Sequence, residues 1–182
     1  MQTFYPLTFE PRYKPKMWGG RRFQNLFDRE LPPDAPIGES WEICDREGDV
    51  SVVADGDFKG MTLAELRTMY PEEVFGEQAE EYHDHFPLLL KFIDAEEDLS
   101  LQVHPDNKYA MKNENDLGKY EAWYVVDAMP GARITRGFRA GTTKAKAKAA
   151  LERGEFPSVT YSFDAENDDA VYIPPGTLHG IG

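Results

Sequence analysis

Alternating apolar and polar positions mark most of the predicted elements of this chain. In L-S-L-Q-V-H-P-D, Leu99, Leu101 and Val103 alternate with Ser100, Gln102 and His104. That period of two predicts a strand with one apolar face and a row of hydroxyl, amide and imidazole on the other. F-P-L-L-L-K-F-I-D-A (Phe86–Ala95) predicts a buried strand just before it. Y-E-A-W-Y-V-V-D-A (Tyr120–Ala128) and A-R-I-T-R-G-F (Ala132–Phe138) predict two more around a Pro-Gly turn. D-A-V-Y-I-P-P-G-T-L-H reads as a strand, a Pro-Pro-Gly turn and the start of another strand at Thr177. Nearer the N-terminus, S-W-E-I-C-D (Ser40–Asp45) and D-V-S-V-V-A (Asp49–Ala54), parted by R-E-G, predict a hairpin. Pro6, Pro11 and Pro15 limit the residues before it to short extended pieces and turns.

Helical spacing is confined to a few stretches. Leu63, Leu66 and Met69 recur at helical intervals behind Thr62, and Glu65 completes a capping box. Pro71 is expected to end that helix, with a short second one through E-E-V-F-G. H-P-D-N-K-Y-A-M-K-N-E predicts another short helix, and T-T-K-A-K-A-K-A-A-L-E-R-G the clearest one. In the latter, Lys144 and Lys148 share a face and read as solvated surface. Strands therefore dominate without a regular βαβ alternation. The expected fold is mostly β, an antiparallel sandwich or barrel with a few helices outside it.

Composition narrows the classes. With 182 residues and 41% hydrophobic content, the chain supports one substantial core. The balance of 20 basic against 33 acidic residues, a net charge of −13, argues against a nucleic-acid partner. It also means that a phosphorylated ligand needs a local cationic pocket. The single cysteine, Cys44, forbids an intrachain disulfide and a CxxC metal knuckle, and reads as a small buried hydrophobe. The first residues lack a signal-peptide profile and no apolar run approaches the ~20 residues of a membrane helix. A cytoplasmic protein with no membrane partner is expected.

Two side chains on the polar row suggest chemistry. Gln102 and His104 are two apart and would project from one strand face, roughly 7 Å between Cα atoms. Glu121 lies in the next predicted strand and His179 follows the Pro-Pro-Gly turn. Two imidazoles and a carboxylate suit catalytic zinc, and equally iron, manganese or nickel. Spacing alone leaves a metal site and an ordinary satisfied polar row both open.

A family resemblance goes further. K-M-W-G-G (16–20), G-E-S-W-E (38–42), F-P-L-L-L-K-F-I-D-A (86–95), L-S-L-Q-V-H-P-D (99–106), G-K-Y-E-A-W-Y-V (118–125) and I-P-P-G-T-L-H-G-I-G (173–182) occur in that order. Together they resemble the type I phosphomannose isomerases, metal-dependent enzymes of the cupin superfamily. The resemblance implies a cupin-type antiparallel β-barrel or jelly roll with flanking helices. It implies one catalytic region over 1–182, cut short at its C-terminus relative to the family. It implies one zinc ion held by Gln102, His104, Glu121 and His179. Lys119 corresponds to an active-site lysine, Lys91 and Ser100 to positions that hold the sugar phosphate, and Trp18 to a wall of the sugar pocket.

The implied reaction interconverts mannose 6-phosphate and fructose 6-phosphate, moving a proton between C2 and C1 through an enediol. A metal suits such chemistry because it polarises a carbonyl. The alternatives are another metallo-cupin enzyme, such as an iron dioxygenase, or a non-catalytic cupin that binds a sugar phosphate. Other polar features read as ordinary surface or packing. His83 and His85 fall in an acidic connection, Lys108 on a helix surface, and Trp123 and Tyr124 in packing. Glu39 and Glu42 alternate onto opposite faces, and the sequence does not choose between them.

Overall fold

The computed structural model describes residues 4–82 and 84–182, which fall into two units, Met1–Glu96 and Glu97–Gly182. His83, half of the H-D-H pair, lies outside the described residues. His85 packs edge-on against Tyr82 and donates its backbone N–H to the Tyr82 carbonyl.

The first unit runs β1 (Arg12–Gly20), α1 (Arg22–Phe27), β2 (Ile37–Ile43), β3 (Asp45–Arg46), β4 (Asp49–Val50), α2 (Leu63–Met69), α3 (Pro71–Phe75), α4 (Ala79–Tyr82) and β5 (Leu90–Ile93). Its main sheet has the order β1-β2-β5 and is antiparallel throughout. Pro15 has no N–H to give to the ladder, and β1 bulges there: Pro15 and Gly20 both face Ile37. At the bulge the two backbones almost touch. A Cβ on Gly19 would lie 2.3 Å from the Gly38 nitrogen, and one on Gly38 would lie 2.5 Å from the Trp18 ring. This close approach is the physical content of the glycines in K-M-W-G-G and G-E-S-W-E.

Phe23, Leu31 and Ile37 form one small core with Tyr13, Phe27 and Phe92, and Val53, Phe58 and Leu66 form another with the aromatics of residues 4–9. The predicted hairpin is present in shorter form, with Asp45 opposite Val50 and Arg46 opposite Asp49. Gly48 adopts the left-handed conformation that its turn needs. Cys44 is fully buried, as expected, and burial pushes its thiol up. The capping box forms in full, Thr62 Oγ1 accepting from the Glu65 N–H and Glu65 from the Thr62 N–H. Pro71 does more than stop α2. It stands at the first position of α3, where a missing N–H costs nothing.

The apolar run 86–95 departs from expectation. Leu90–Ile93 forms the strand, with one further bridge from Ala95 to Gly19, and Leu88 and Leu90 are exposed. Pro87 cannot donate to a ladder, so the pairing begins after it. Register then settles the Glu39/Glu42 question. Trp41 stands opposite Lys91, and Glu39, two residues away, shares their face. Glu39 accepts from Lys91 Nζ at 2.9 Å and from Trp41 Nε1 at 2.8 Å. On the other face Arg29 donates to both Glu42 oxygens, at 2.6 and 3.0 Å, and to Ser40 Oγ.

The second unit runs α5 (Asn107–Asn113), β6 (Glu121–Tyr124), β7 (Arg133–Phe138), α6 (Lys144–Glu152), β8 (Thr160–Asp164), β9 (Ala170–Ile173) and β10 (His179–Ile181). One antiparallel sheet has the order β10-β7-β8, and β6 pairs with β9. Ile134, Val171 and Ile173 form its core with Trp123, Val125 and Phe163. Both predicted helices form behind N-caps, Asp106 for α5 and Thr143 for α6. The mostly β, antiparallel class with flanking helices is as predicted.

The segment Leu99–His104 corrects a specific expectation. It is extended but forms no regular strand: its one ladder bridge joins Gln102 to His179, with flanking backbone bonds from the Leu99 N–H to the Ile181 carbonyl at 2.7 Å and from the Gly176 N–H to the His104 carbonyl at 2.8 Å. Leu101 and Val103, the residues expected to be buried, are exposed, Val103 to 56%. The alternation is real, yet its apolar side is covered only in part: Leu99 is half-buried and Leu101 lies against Gly180, while Val103 is open to solvent.

The Glu39 carboxyl carries a pH prediction. Burial pushes it up, but the hydrogen bonds from Lys91 and Trp41 outweigh that and hold it below the usual glutamate value. The stabilisation is therefore complete above the unfolded glutamate's pKa and is lost as pH falls through the lower native one. Glu39→Gln should cost roughly 1–3 kcal/mol at neutral pH and flatten the loss of stability between about pH 5 and pH 3. Urea midpoints across that range check it.

Candidate metal centre

The turn after β9 assembles the site. In Pro174-Pro175-Gly176-Thr177 the Thr177 N–H donates to the Pro174 carbonyl at 3.2 Å, and Gly176 has φ +78°. Proline at the second position and a positive-φ glycine at the third make a type II turn. On one side of it Ile173 pairs with Glu121, at the start of β6. On the other side His179 begins β10, with Arg136 of β7 as its ladder partner. Its second flank meets the extended segment. The Gln102 N–H donates to the His179 carbonyl at 2.8 Å and the His179 N–H to the Gln102 carbonyl at 2.9 Å. Residues that exchange both bonds face each other across an antiparallel pair, so the Gln102 and His179 side chains leave on one side. The Gly176 N–H donates to the His104 carbonyl at 2.8 Å, fixing the next step of the same pairing.

His104, Glu121 and His179 consequently converge. Their ligand-type atoms all lie within 4.8 Å of one another. His179 Nε2 is 3.2 Å from Glu121 Oε2, and His104 Nε2 is 3.5 Å from Glu121 Oε1. The imidazole rings are 4.9 Å apart, and Trp123 packs edge-on against His179.

The His179 ring shows that these residues fit an ion. Its Nδ1 is 2.8 Å from the Thr177 carbonyl, which only accepts, so Nδ1 carries the proton. Nε2 is buried, makes no hydrogen bond and lies 3.2 Å from Glu121 Oε2. A backbone carbonyl on one nitrogen and an outward lone pair on the other is how ligand histidines are oriented. Two imidazoles and one carboxylate form a donor set suited to a catalytic divalent cation.

Lys119 adds a charge to the cluster. Gly118 brings it close: a Cβ there would lie 2.4 Å from the Asn107 nitrogen, and the Gly118 N–H is bound by Asn107 Oδ1 at 2.9 Å. Lys119 Nζ sits 2.7 Å from Glu121 Oε1 and 3.3 Å from His104 Nε2. Burial pushes the Glu121 carboxyl up. The hydrogen bond and charge of Lys119, with smaller contributions from both imidazoles, hold it below the ordinary value.

Four of the predicted site residues thus come together: His104, Lys119, Glu121 and His179. Gln102 shares their side of the backbone, with its amide Nε2 3.4 Å from Ser100 Oγ. Ser100 is exposed. Lys91 and Trp18 belong to the first unit, where Lys91 is paired with Glu39 and Trp18 packs on Gly38. Trp123 lies against the core, in keeping with a packing role, whereas Tyr124 is exposed with its hydroxyl on Asp168. Thr177 was not singled out by the sequence because it acts through its carbonyl, which every residue has. Its place two residues before His179 in a Pro-Gly turn was the available signal.

A family model described as the catalytic domain of type I phosphomannose isomerase matches residues 7–124. The mannose-6-phosphate isomerase ManA of Bacillus subtilis is 39% identical over 181 residues, 99% of this chain and 55% of its own length. The mannose-6-phosphate isomerase of Streptococcus mutans is 38% identical over 97% of this chain and 54% of its own. The chain therefore spans about half the length of the curated relatives it matches. A crystal structure of the B. subtilis mannose 6-phosphate isomerase superposes with a TM-score of 0.87 at 37% identity, covering 97% of this chain and 55% of that one. A Salmonella typhimurium phosphomannose isomerase variant shares the fold alone, with a TM-score of 0.75 at 14% identity over 96% of this chain and 65% of that one.

The orphaned nitrogen sets a binding test. Added divalent cation should raise the thermal midpoint of the wild-type protein, because a ligand that binds only the native state stabilises it. His179→Ala should abolish both that rise and the stoichiometric metal found by elemental analysis. An undiminished rise in the variant would remove His179 from the ligand set.

Proposed function

The chain belongs to the type I phosphomannose isomerase family, and we propose that it carries out, or contributes to, the interconversion of mannose 6-phosphate and fructose 6-phosphate, in the cytoplasm, with zinc as its ion. The observation that carries this reading is the buried, unpartnered His179 Nε2 beside Glu121 and His104. Gln102 is the proposed fourth protein ligand, supported by its side of the Gln102–His179 bridge.

A bound divalent ion would supply Lewis-acid polarisation of the sugar carbonyl. The protein's own groups do the rest. The Thr177 carbonyl fixes the His179 tautomer, and Trp123 limits the ring's rotation. Lys119, a short-range donor at the edge of the donor set, is the proposed group that hydrogen-bonds the oxygens at C1 and C2 as charge develops on them. Moving a proton between C2 and C1 requires a base within hydrogen-bond reach of both carbons, and Lys119, beside Glu121 and His104, is the proposed catalytic group. The roles of Lys91 and Ser100 toward the phosphate, and of Trp18 toward the sugar, rest on the resemblance of their motifs alone. Lys91 supplies a cation that a chain of net charge −13 has to place locally.

A coupled assay that follows mannose 6-phosphate to fructose 6-phosphate tests the reading. Metal-replete protein should turn over, and His104→Ala should reduce kcat/KM by at least about a hundredfold. Absence of turnover by metal-replete protein would overturn it.

A further inference from the structure

The ammonium of Lys119 stands on the donor atoms that the ion would use. It is 2.7 Å from Glu121 Oε1, the oxygen nearer His104, and 3.3 Å from His104 Nε2. Glu121 is largely buried, and a buried carboxylate needs a counter-charge. A divalent ion binds carboxylate oxygen and imidazole nitrogen at roughly 2.0–2.2 Å. An ammonium hydrogen-bonded to the same two atoms and a metal ion coordinated by them would lie within a few ångströms of each other. Two like charges at that distance repel and compete for the same lone pairs.

We propose that Lys119 is the built-in counter-cation of the ion site: ion binding displaces its ammonium from Glu121 and His104, so that loading of the ion and release of Lys119 toward the reacting sugar are one coupled step. This rests on the reading of His104, Glu121 and His179 as ion ligands. The geometry gives it a direction. Lys119 is tethered at its backbone, where its N–H donates to the Pro105 carbonyl at 3.1 Å and Gly118 is wedged against Asn107. Only the flexible side chain can move away. The ammonium therefore remains at the rim of the site after displacement. Two consequences follow from the charge. Lys119 lowers the site's affinity for any divalent ion, and it holds Glu121 ionised and oriented before an ion arrives.

Isothermal titration of zinc into wild-type protein, Lys119→Met and Lys119→Gln measures this directly. Met matches the lysine stem without charge, and Gln keeps a donor for Glu121 should the Met variant fold poorly. Loss of a charge-assisted competitor should tighten zinc binding by about tenfold or more in either variant. The zinc-induced rise in thermal midpoint should be larger than in wild type. Lys119→Arg, which retains the charge, should bind zinc no more tightly than wild type. Unchanged or weaker binding in both neutral variants overturns the counter-cation role while leaving the ligand assignment standing. Failure of wild type and every variant to bind zinc overturns the ligand assignment itself, and the proposal with it.

Discussion

Two backbone hydrogen bonds between Gln102 and His179 hold the candidate metal centre together. They join residues far apart in sequence, and they work because the Pro174–Thr177 turn presents His179 at a fixed step beyond Ile173. The same turn sets Glu121, whose ladder partner is Ile173, on its near side. One type II turn thus spaces the carboxylate, and one bridge spaces the two imidazoles. No helix or long strand is needed to position the ligands. The demand falls on Gly176, whose left-handed conformation closes the turn.

Charge in this acidic protein is handled pairwise. The half-buried carboxylates that shape each unit have a dedicated cation: Glu39 has Lys91, Glu42 has Arg29, Asp45 has Arg67 and Glu121 has Lys119. Removing a carboxylate from water costs several kcal/mol unless a partner and hydrogen bonds compensate it. Asp94 is buried too: the Arg22 N–H donates to it at 2.7 Å and the Arg22 charge acts on it, yet burial outweighs both and pushes its carboxyl up. Of these pairs, the Glu121–Lys119 pair alone includes a second group, His104, that is itself a ligand type, which sets it apart from the structural ones.

Local signals and non-local ones were legible to different degrees. The capping box at Thr62, the helices that open behind Asp106 and Thr143 and the hairpin that turns at Gly48 follow from chemistry within a few residues; the capping box, both helices and, in shorter form, the hairpin are as read. Strand lengths did not follow, because a strand ends where its partner ends. Phe86–Ala95 shrank to Leu90–Ile93 and Leu99–His104 to a single bridge for that reason. The role of Glu39 was hidden for the same cause: its partner Lys91 lies 52 residues away and is chosen by register.

The sequence by itself determined the fold class, the Thr62 capping box and which residues are candidate ion ligands, because donor chemistry and motif order are properties of the residues. The tertiary structure decided which of these residues meet. The Nδ1 proton on His179, the grip of Lys119 on Glu121 and the pairing of Glu39 with Lys91 all depend on distances of about 3 Å between groups brought together by pairing and turns. Hydrogen bonds and ion pairs fall off steeply over such distances, so only packed coordinates assign them. The exposure of Leu101 and Val103 belongs to the same category. Alternation says that a strand has two faces, but which of them is covered depends on what the rest of the fold lays against it.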